Sequence, residues 1–116
     1  MNEVMLTTAG VLGMLIALVH GYLGETQVVR HAQAATESGQ RVLHAIMFLS
    51  AVYWFVGGLV LALAPAYLDA GTTSVVAYTV AAIFAGGALG NLWATRGKHF
   101  GWLLLAAATG LAVAGA

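Results

Sequence analysis

The sequence has little charge, a single proline and no cysteine. Asp, Glu, Lys and Arg make up 7% of its 116 residues, four acidic and four basic, so the formal net charge is zero. Soluble domains usually carry about 25% charged residues, so this sequence has too few to cover a water-facing surface. A net charge of zero argues against nucleic-acid binding, which requires a basic surface. The absence of cysteine excludes disulfides, thiolate metal sites and cysteine nucleophiles.

Apolar residues make up 61% of the chain. They form four runs, at about residues 4–24, 42–64, 74–94 and 100–116. Each run approaches the ~20 residues with which a helix crosses ~30 Å of hydrocarbon, whereas open strands would leave backbone groups unpaired in lipid. The sequence therefore predicts a single all-α domain, an integral membrane four-helix bundle with up-down-up-down topology, embedded in the lipid bilayer.

The three connections between these runs differ in character. The first is polar, and the composition of residues 25–37 predicts that the first helix continues into water and ends at Ser38 and Gly39. The second connection is short, and we expect Pro65 to end the helix before it. Residues 95–99 are predicted to form a tight basic turn.

Lysine and arginine occur only in or beside the first and third connections, which four spans place on the same side of a membrane. The four cations are Arg30, Arg41, Arg96 and Lys98. The opposite side carries Glu3 and Asp69 and no cation. Because cytoplasmic loops of membrane proteins carry an excess of Lys and Arg, we expect the basic connections in the cytoplasm and both termini outside.

Small residues recur at helical spacing in two of the apolar runs. Such rows let membrane helices approach closely, so we expect them to be packing faces, either within the bundle or between chains. We therefore also expect a homo-oligomer or partner membrane subunits. The rows are Gly13, Ala17 and Gly24 in the first run, together with His20, and Ala82, Gly86, Gly90 and Ala94 in the third.

His20, His44 and Asn91 lie near the predicted cytoplasmic ends of their apolar runs, and just beyond run ends on the same side lie Glu25, Arg41, Arg96 and His99. Polar groups in hydrocarbon cost free energy unless they are paired, so we expect them to form one bonded cluster. A purely structural interpretation pairs the one nearby carboxylate, Glu25, with Arg41 or Arg96, and lets His20 donate to a backbone carbonyl. The predicted cluster comprises His20, Glu25, Arg41, His44, Asn91, Arg96 and His99.

Three functional interpretations follow from this cluster. It can bind a small ligand, a cation or a proton, as in a transporter or sensor, because histidine titrates near neutral pH. His20 and His44, at matched depth on sequential antiparallel helices, can alternatively ligate haem b. The third interpretation is an accessory or assembly subunit of a larger membrane complex. No H-E-x-x-H, G-x-S-x-G or phosphate-binding glycine motif occurs, so we expect no enzyme, and the sequence assigns no metal.

Three blocks resemble a group of small four-span bacterial inner-membrane proteins. They are HGYLGE at residues 20–25, RVL at residues 41–43 and TRGKHFGW at residues 95–102. The resemblance implies a bacterial inner membrane and no particular reaction. Phe100 stands where the group's pattern has proline, and His44 lies outside the pattern. The residues that match it are His20, Glu25, Arg41, Arg96 and His99.

Overall fold

The computed structural model describes residues 1–116 and contains four α-helices and no strand. A six-residue π-helical segment, Gly24–Val29, extends the first α-helix directly. The predicted all-helical fold with four helices is therefore confirmed. The helices are α1 at Glu3–Leu23, α2 at Glu37–Tyr67, α3 at Ala70–Thr95 and α4 at Gly101–Gly115.

Consecutive helices are antiparallel, and each helix packs against two others, α1 and α3 each lying between α2 and α4. At one end of the bundle the Asn2 N–H donates to the Gly115 carbonyl at 2.8 Å. At the other end, Gly24 lies against Met47 at the opposite end of α2 from Tyr67. This second end carries all four cations of the chain, and we call it the basic end. The bundle is elongated, with extents of 49 × 25 × 17 Å.

The backbones of α1 and α2 meet directly where two glycines, Gly10 and Gly58, face each other. A methyl group at Gly10 would collide with the carbonyl oxygen of Gly58 and would lie 2.6 Å from the Ala62 nitrogen. A methyl at Gly58 would lie 2.5 Å from the Gly10 carbonyl oxygen. The two backbones touch because neither residue has a side chain, which is the arrangement that small residues allow in membrane helices.

The core is narrow, and most large apolar side chains lie on the outside. Phe84, Leu6, Leu61 and Leu105 are fully buried along the bundle axis. Three helical stretches are long and apolar enough to cross a membrane, whereas α4, with 15 residues, is shorter. They are Glu3–Val29, Glu37–Tyr67 and Ala70–Thr95. Exposed large side chains on these stretches include Leu15, Leu18, Phe48, Tyr53, Val75 and Leu89.

The first connection differs from its predicted form. The first helix does continue past Leu23, but as the π-helical segment, and it ends at Val29. Ser38 and Gly39 lie in the first turn of α2 and do not end α1. The reason is an N-cap, because the Thr36 hydroxyl accepts the Gly39 N–H at 3.0 Å and satisfies a donor that would otherwise be unpaired.

The prediction that Pro65 ends the second helix is also wrong, by one half-turn. Pro65 lies inside α2, which continues to Tyr67. Proline removes the N–H that would bond to the Leu61 carbonyl. The next turn still closes, since the Leu68 N–H donates to the Ala64 carbonyl at 2.9 Å.

The two predicted rows of small residues lie in different environments. Gly13, Ala17 and Gly24 are buried, Gly13 against the Phe84 ring and Gly24 against Met47. The row on α3 is exposed, and the space beyond Gly86 and Gly90 is open. The α1 row therefore packs inside the bundle, whereas the α3 row faces outward together with Ala82 and Ala94.

Candidate functional site

Two cavities open at the basic end, one on each side of α1. The first lies mainly between α1 and α4 and has a volume of about 580 Å³. We call it the α1–α4 cavity, and the polar residues in its lining are His20, Gln27, Asn91, Thr95 and His99. The second lies between α1 and α2, has a volume of about 520 Å³, and contains Glu25 and His44 among mostly apolar residues. We call it the α1–α2 cavity.

His20 is held in the α1–α4 cavity by two residues of α2. Its Nε2 lies 3.0 Å from the Ser50 Oγ, and its ring packs at a tilt of 51° against Trp54, with ring centroids 4.4 Å apart. The Ser50 hydroxyl donates to the Met47 carbonyl at 3.0 Å. A hydroxyl has a single hydrogen, so with that hydrogen on the Met47 carbonyl Ser50 accepts from His20. The neutral imidazole therefore carries its proton on Nε2 and presents a free lone pair on Nδ1.

His99 has the complementary arrangement in the turn before α4. Its Nδ1 accepts the Gly101 N–H at 3.2 Å, and its ring stacks on Phe100 at 14° with centroids 5.1 Å apart. In the neutral ring the proton is then on Nε2, which presents an N–H donor. Both histidines thus line the α1–α4 cavity, His20 with a free acceptor and His99 with a free donor.

Asn91 and Thr95 form the α3 wall of the same cavity. The Asn91 side-chain amide donates to the Gly87 carbonyl at 3.0 Å, and the Thr95 hydroxyl donates to the Asn91 carbonyl at 2.7 Å. Both bonds stay within α3 and do not cross the cavity, and the second N–H and the Oδ1 of Asn91 have no partner in the protein. The structure therefore brings three of the predicted residues together here, His20, Asn91 and His99.

Glu25 and His44 form a separate pair in the α1–α2 cavity. The Glu25 Oε2 lies 3.0 Å from the His44 Nδ1, and the two side chains are 42% and 56% exposed. Glu25 belongs to the π-helical segment. A π-helix closes i→i+5 bonds, so side chains after Leu23 leave the directions that a continued α-helix would give them, and Glu25 meets His44 on α2.

The predicted partners of Glu25 and His20 are wrong. Arg41 lies 3.3 Å from Glu37, an exposed pair one turn away on the same helix. Arg96 is exposed and ends α3 in the left-handed conformation with φ 51°. His20 bonds to the Ser50 hydroxyl instead of a backbone carbonyl.

The predicted single cluster is therefore two sites and two outlying arginines. His20 and His44 line different cavities and bond to different partners, so the structure does not bring them together as a ligand pair for haem. No group of three His, Cys, Asp or Glu side chains is placed to hold a metal ion.

Sequence reasoning did not identify Ser50 and Trp54 as parts of this site. A signal for Ser50 was present, since it is the only serine or threonine in residues 42–64. A lone hydroxyl in a lipid-length run requires a partner, which here is His20.

Comparison with models of protein families, with curated proteins and with solved structures finds no match for this chain. The resemblance of its three sequence blocks to small four-span proteins therefore stays a prediction.

Proposed function

We propose that this chain is a non-enzymatic integral protein of a bacterial cytoplasmic membrane that binds a small amphipathic ligand in the α1–α4 cavity. Three long apolar helical stretches and large apolar side chains on the outer surface support the membrane location. The concentration of all four cations at one end supports an orientation with that end in the cytoplasm.

The observation that carries the proposal is the lining of the α1–α4 cavity. Its volume of about 580 Å³ lies within the range of small-molecule sites, which are mostly apolar with a few convergent polar groups. The lining residues farthest from the basic end along α1 are Leu12, Leu15 and Ile16. All five polar residues lie nearer that end, where the lining also includes Leu23, Val28 and Phe100. This gradient matches a ligand that is apolar at one end and polar at the other.

A small ligand is favoured over a metal cation by the donors present. The α1–α4 cavity has no carboxylate in its lining. The α1–α2 cavity has a single carboxylate, Glu25, which is already bonded to His44. A divalent ion of the Mg²⁺ or Ca²⁺ type needs several oxygen ligands, and neither cavity supplies them from side chains.

Trp54 allows a direct test, because it lines the cavity and is buried beside His20. The double variant Trp93→Phe, Trp102→Phe in lipid nanodiscs leaves Trp54 as the only tryptophan. Titration with 4-bromophenol, a quenching amphipathic probe, should then give saturable loss of fluorescence.

The matched control is Trp54→Phe, in which exposed Trp93 reports mainly on probe dissolved in the bilayer. Its quenching should rise without saturation. Quenching that rises without saturation in both proteins would show that the cavity binds no such probe.

A second candidate function, assembly with another copy or a partner subunit, is favoured by the outward row on α3. Gly86 and Gly90 have open space in front of them, and such rows let helices of different chains approach. The variant Gly86→Leu, Gly90→Leu should lower the particle mass of the protein extracted in native lipid discs. Gly110→Leu, at an equally open position on α4, should leave the mass unchanged. Equal masses for all three proteins would contradict assembly through this row.

A further inference from the structure

The residues that line the α1–α4 cavity limit the class of ligand that it can bind. This inference rests on the proposed binding function. No Asp, Glu, Lys or Arg lines the cavity. A charged ligand would therefore lose its hydration without gaining a countercharge from an always-ionised side chain, which is costly in an apolar site. A neutral ligand has no such penalty.

The two histidines define the polar head of that ligand. His20 donates through Nε2 to Ser50 and keeps a lone pair on Nδ1, so it accepts one further hydrogen bond. His99 accepts from Gly101 on Nδ1 and keeps an N–H on Nε2, so it donates one further bond. A complementary head therefore has one hydroxyl donor and one oxygen acceptor.

The other walls favour an aromatic head. Trp54, Phe100 and Met47 all line the cavity. Aromatic rings prefer offset or tilted packing against other rings, and methionine sulfur makes favourable contacts with ring edges. The apolar part of the cavity is bordered by exposed Leu15, Val19 and Leu104, which open it toward the lipid side of the bundle.

We propose that the α1–α4 cavity binds a lipid-soluble quinol, a para-dihydroxylated ring dissolved in the bilayer. One hydroxyl donates to the His20 Nδ1, and the second ring oxygen accepts from the His99 Nε2–H. The ring lies among Trp54, Met47 and Phe100. The proposal concerns binding and includes no redox step.

This arrangement discriminates between the reduced and oxidised ring. A quinone has two acceptor oxygens and no donor, so the lone pair of His20 would lose its partner. An unmatched polar group of this kind weakens binding by about tenfold or more. The cavity should therefore prefer the quinol to the quinone.

The test uses three probes in which methylation removes the hydroxyl donors one at a time: tert-butylhydroquinone, its monomethyl ether and its dimethyl ether. Binding is measured by Trp54 fluorescence in nanodiscs of the Trp93→Phe, Trp102→Phe protein. The first two probes should bind within a few-fold of each other, and the dimethyl ether about tenfold more weakly. His20→Phe should weaken the two phenols to the level of the dimethyl ether. His44→Phe, in the other cavity, should change none of the three affinities.

The outcomes separate this inference from the proposed function. Equal, saturable binding of all three probes would overturn the assignment of the polar head but not the cavity as a ligand site. Absence of saturable binding for every probe would overturn both. Circular dichroism shows whether His20→Phe folds. If it does not, the assignment of the polar head is tested by the probe series in the parent protein and by His99→Phe, which removes the donor to the second oxygen.

Discussion

At the scale of single residues, Ser50 determines the hydrogen-bonding state of the candidate site. Its only proton goes to the Met47 carbonyl, so its oxygen accepts from His20 and leaves the other imidazole nitrogen free. In Ser50→Ala the His20 N–H loses this partner, and the free energy of unfolding should fall by about 1 kcal/mol. Thr79→Ala is the matched control, since its exposed hydroxyl bonds only within α3. Equal losses in the two variants, measured by denaturation in detergent, would show that the His20–Ser50 bond contributes nothing specific.

Two tryptophans provide a second comparison at this scale. Trp102 is the one residue with a buried side-chain polar atom, Nε1, that has no partner. An unpaired buried donor is unfavourable, and phenylalanine has no such donor. Trp102→Phe should therefore leave the free energy of unfolding unchanged or raise it. Trp54→Phe should lower it by about 1–2 kcal/mol, because Trp54 is buried, fills the space in front of Gly87 and packs against His20. A larger loss from Trp102→Phe than from Trp54→Phe in thermal unfolding would contradict this assignment.

At the scale of elements, the α1–α2 contact depends on the absence of two side chains. Gly10→Ala places a methyl group against the backbone of Gly58 and Ala62, which cannot yield as a flexible side chain would. We expect a loss of about 2 kcal/mol or more in unfolding free energy. Gly110→Ala is the control, because its position is exposed and open and alanine favours the helix by roughly 0.5–1 kcal/mol. Opposite signs for the two substitutions are expected, and a stabilising Gly10→Ala would disprove direct backbone contact.

The start of α3 has a pH-dependent cap. The Asp69 carboxylate accepts from the Thr72 N–H at 3.0 Å and from the Thr72 hydroxyl at 2.6 Å. These bonds, the hydroxyl bond first, lower the pKa of Asp69 below its ordinary value of 3.8. Because the folded pKa is the lower one, the stabilisation is present above about pH 4 and is lost as the pH falls through the folded pKa.

Amide exchange at Thr72 should therefore be constant between pH 5 and 8, once corrected for the intrinsic pH dependence. It should accelerate in strong acid, after the same correction. In Asp69→Asn the cap remains but no longer titrates, so the additional acceleration in acid should disappear. Its persistence in the variant would assign it to another group.

At the scale of the whole molecule, the proposed orientation can be tested because the natural chain has no cysteine. Single cysteines at Gln33, in the loop at the basic end, and at Gly71, in the first turn of α3, lie at exposed positions at opposite ends of the bundle. In bacterial spheroplasts an impermeant maleimide should label Gly71→Cys and spare Gln33→Cys until the membrane is permeabilised. The reverse pattern would invert the orientation, and labelling of both before permeabilisation would argue against embedding.

The helices and the depth of the polar residues could be predicted from sequence, but their directions around the helix axes could not. Hydrophobic run lengths located four helices, and run ends located His20, Asn91 and His99 near one end. Facing directions were hidden because the helices are apolar on all sides, so no polar stripe marks an outer surface. A row of small residues does not show which way it faces either, since Gly13 in the α1 row is buried and Gly86 in the α3 row is exposed.

The pairing of Glu25 was unpredictable for a different reason. It depends on the change from i→i+4 to i→i+5 bonding after Leu23, for which the composition of Gly24–Val29 gives no signal. Arg41 or Arg96 was the expected partner by charge, but Arg41 pairs with Glu37, which lies four residues before it on the same helix. Arg41 therefore pairs within α2 instead of with Glu25.

The π-helical segment also has a consequence for how this chain tolerates insertion and deletion. Each α-helical residue turns the chain by roughly 100°, so a deletion between Gly10 and Leu23 would rotate Gly10 by that angle relative to the following part of α1. Loss of one residue within Gly24–Val29 would instead return this segment to ordinary α-helical bonding. The contact between Gly10 and Gly58 would stay as it is. Orthologous chains that differ in length by one residue should therefore carry the gap here, and the carboxylate of the first connection should then point elsewhere.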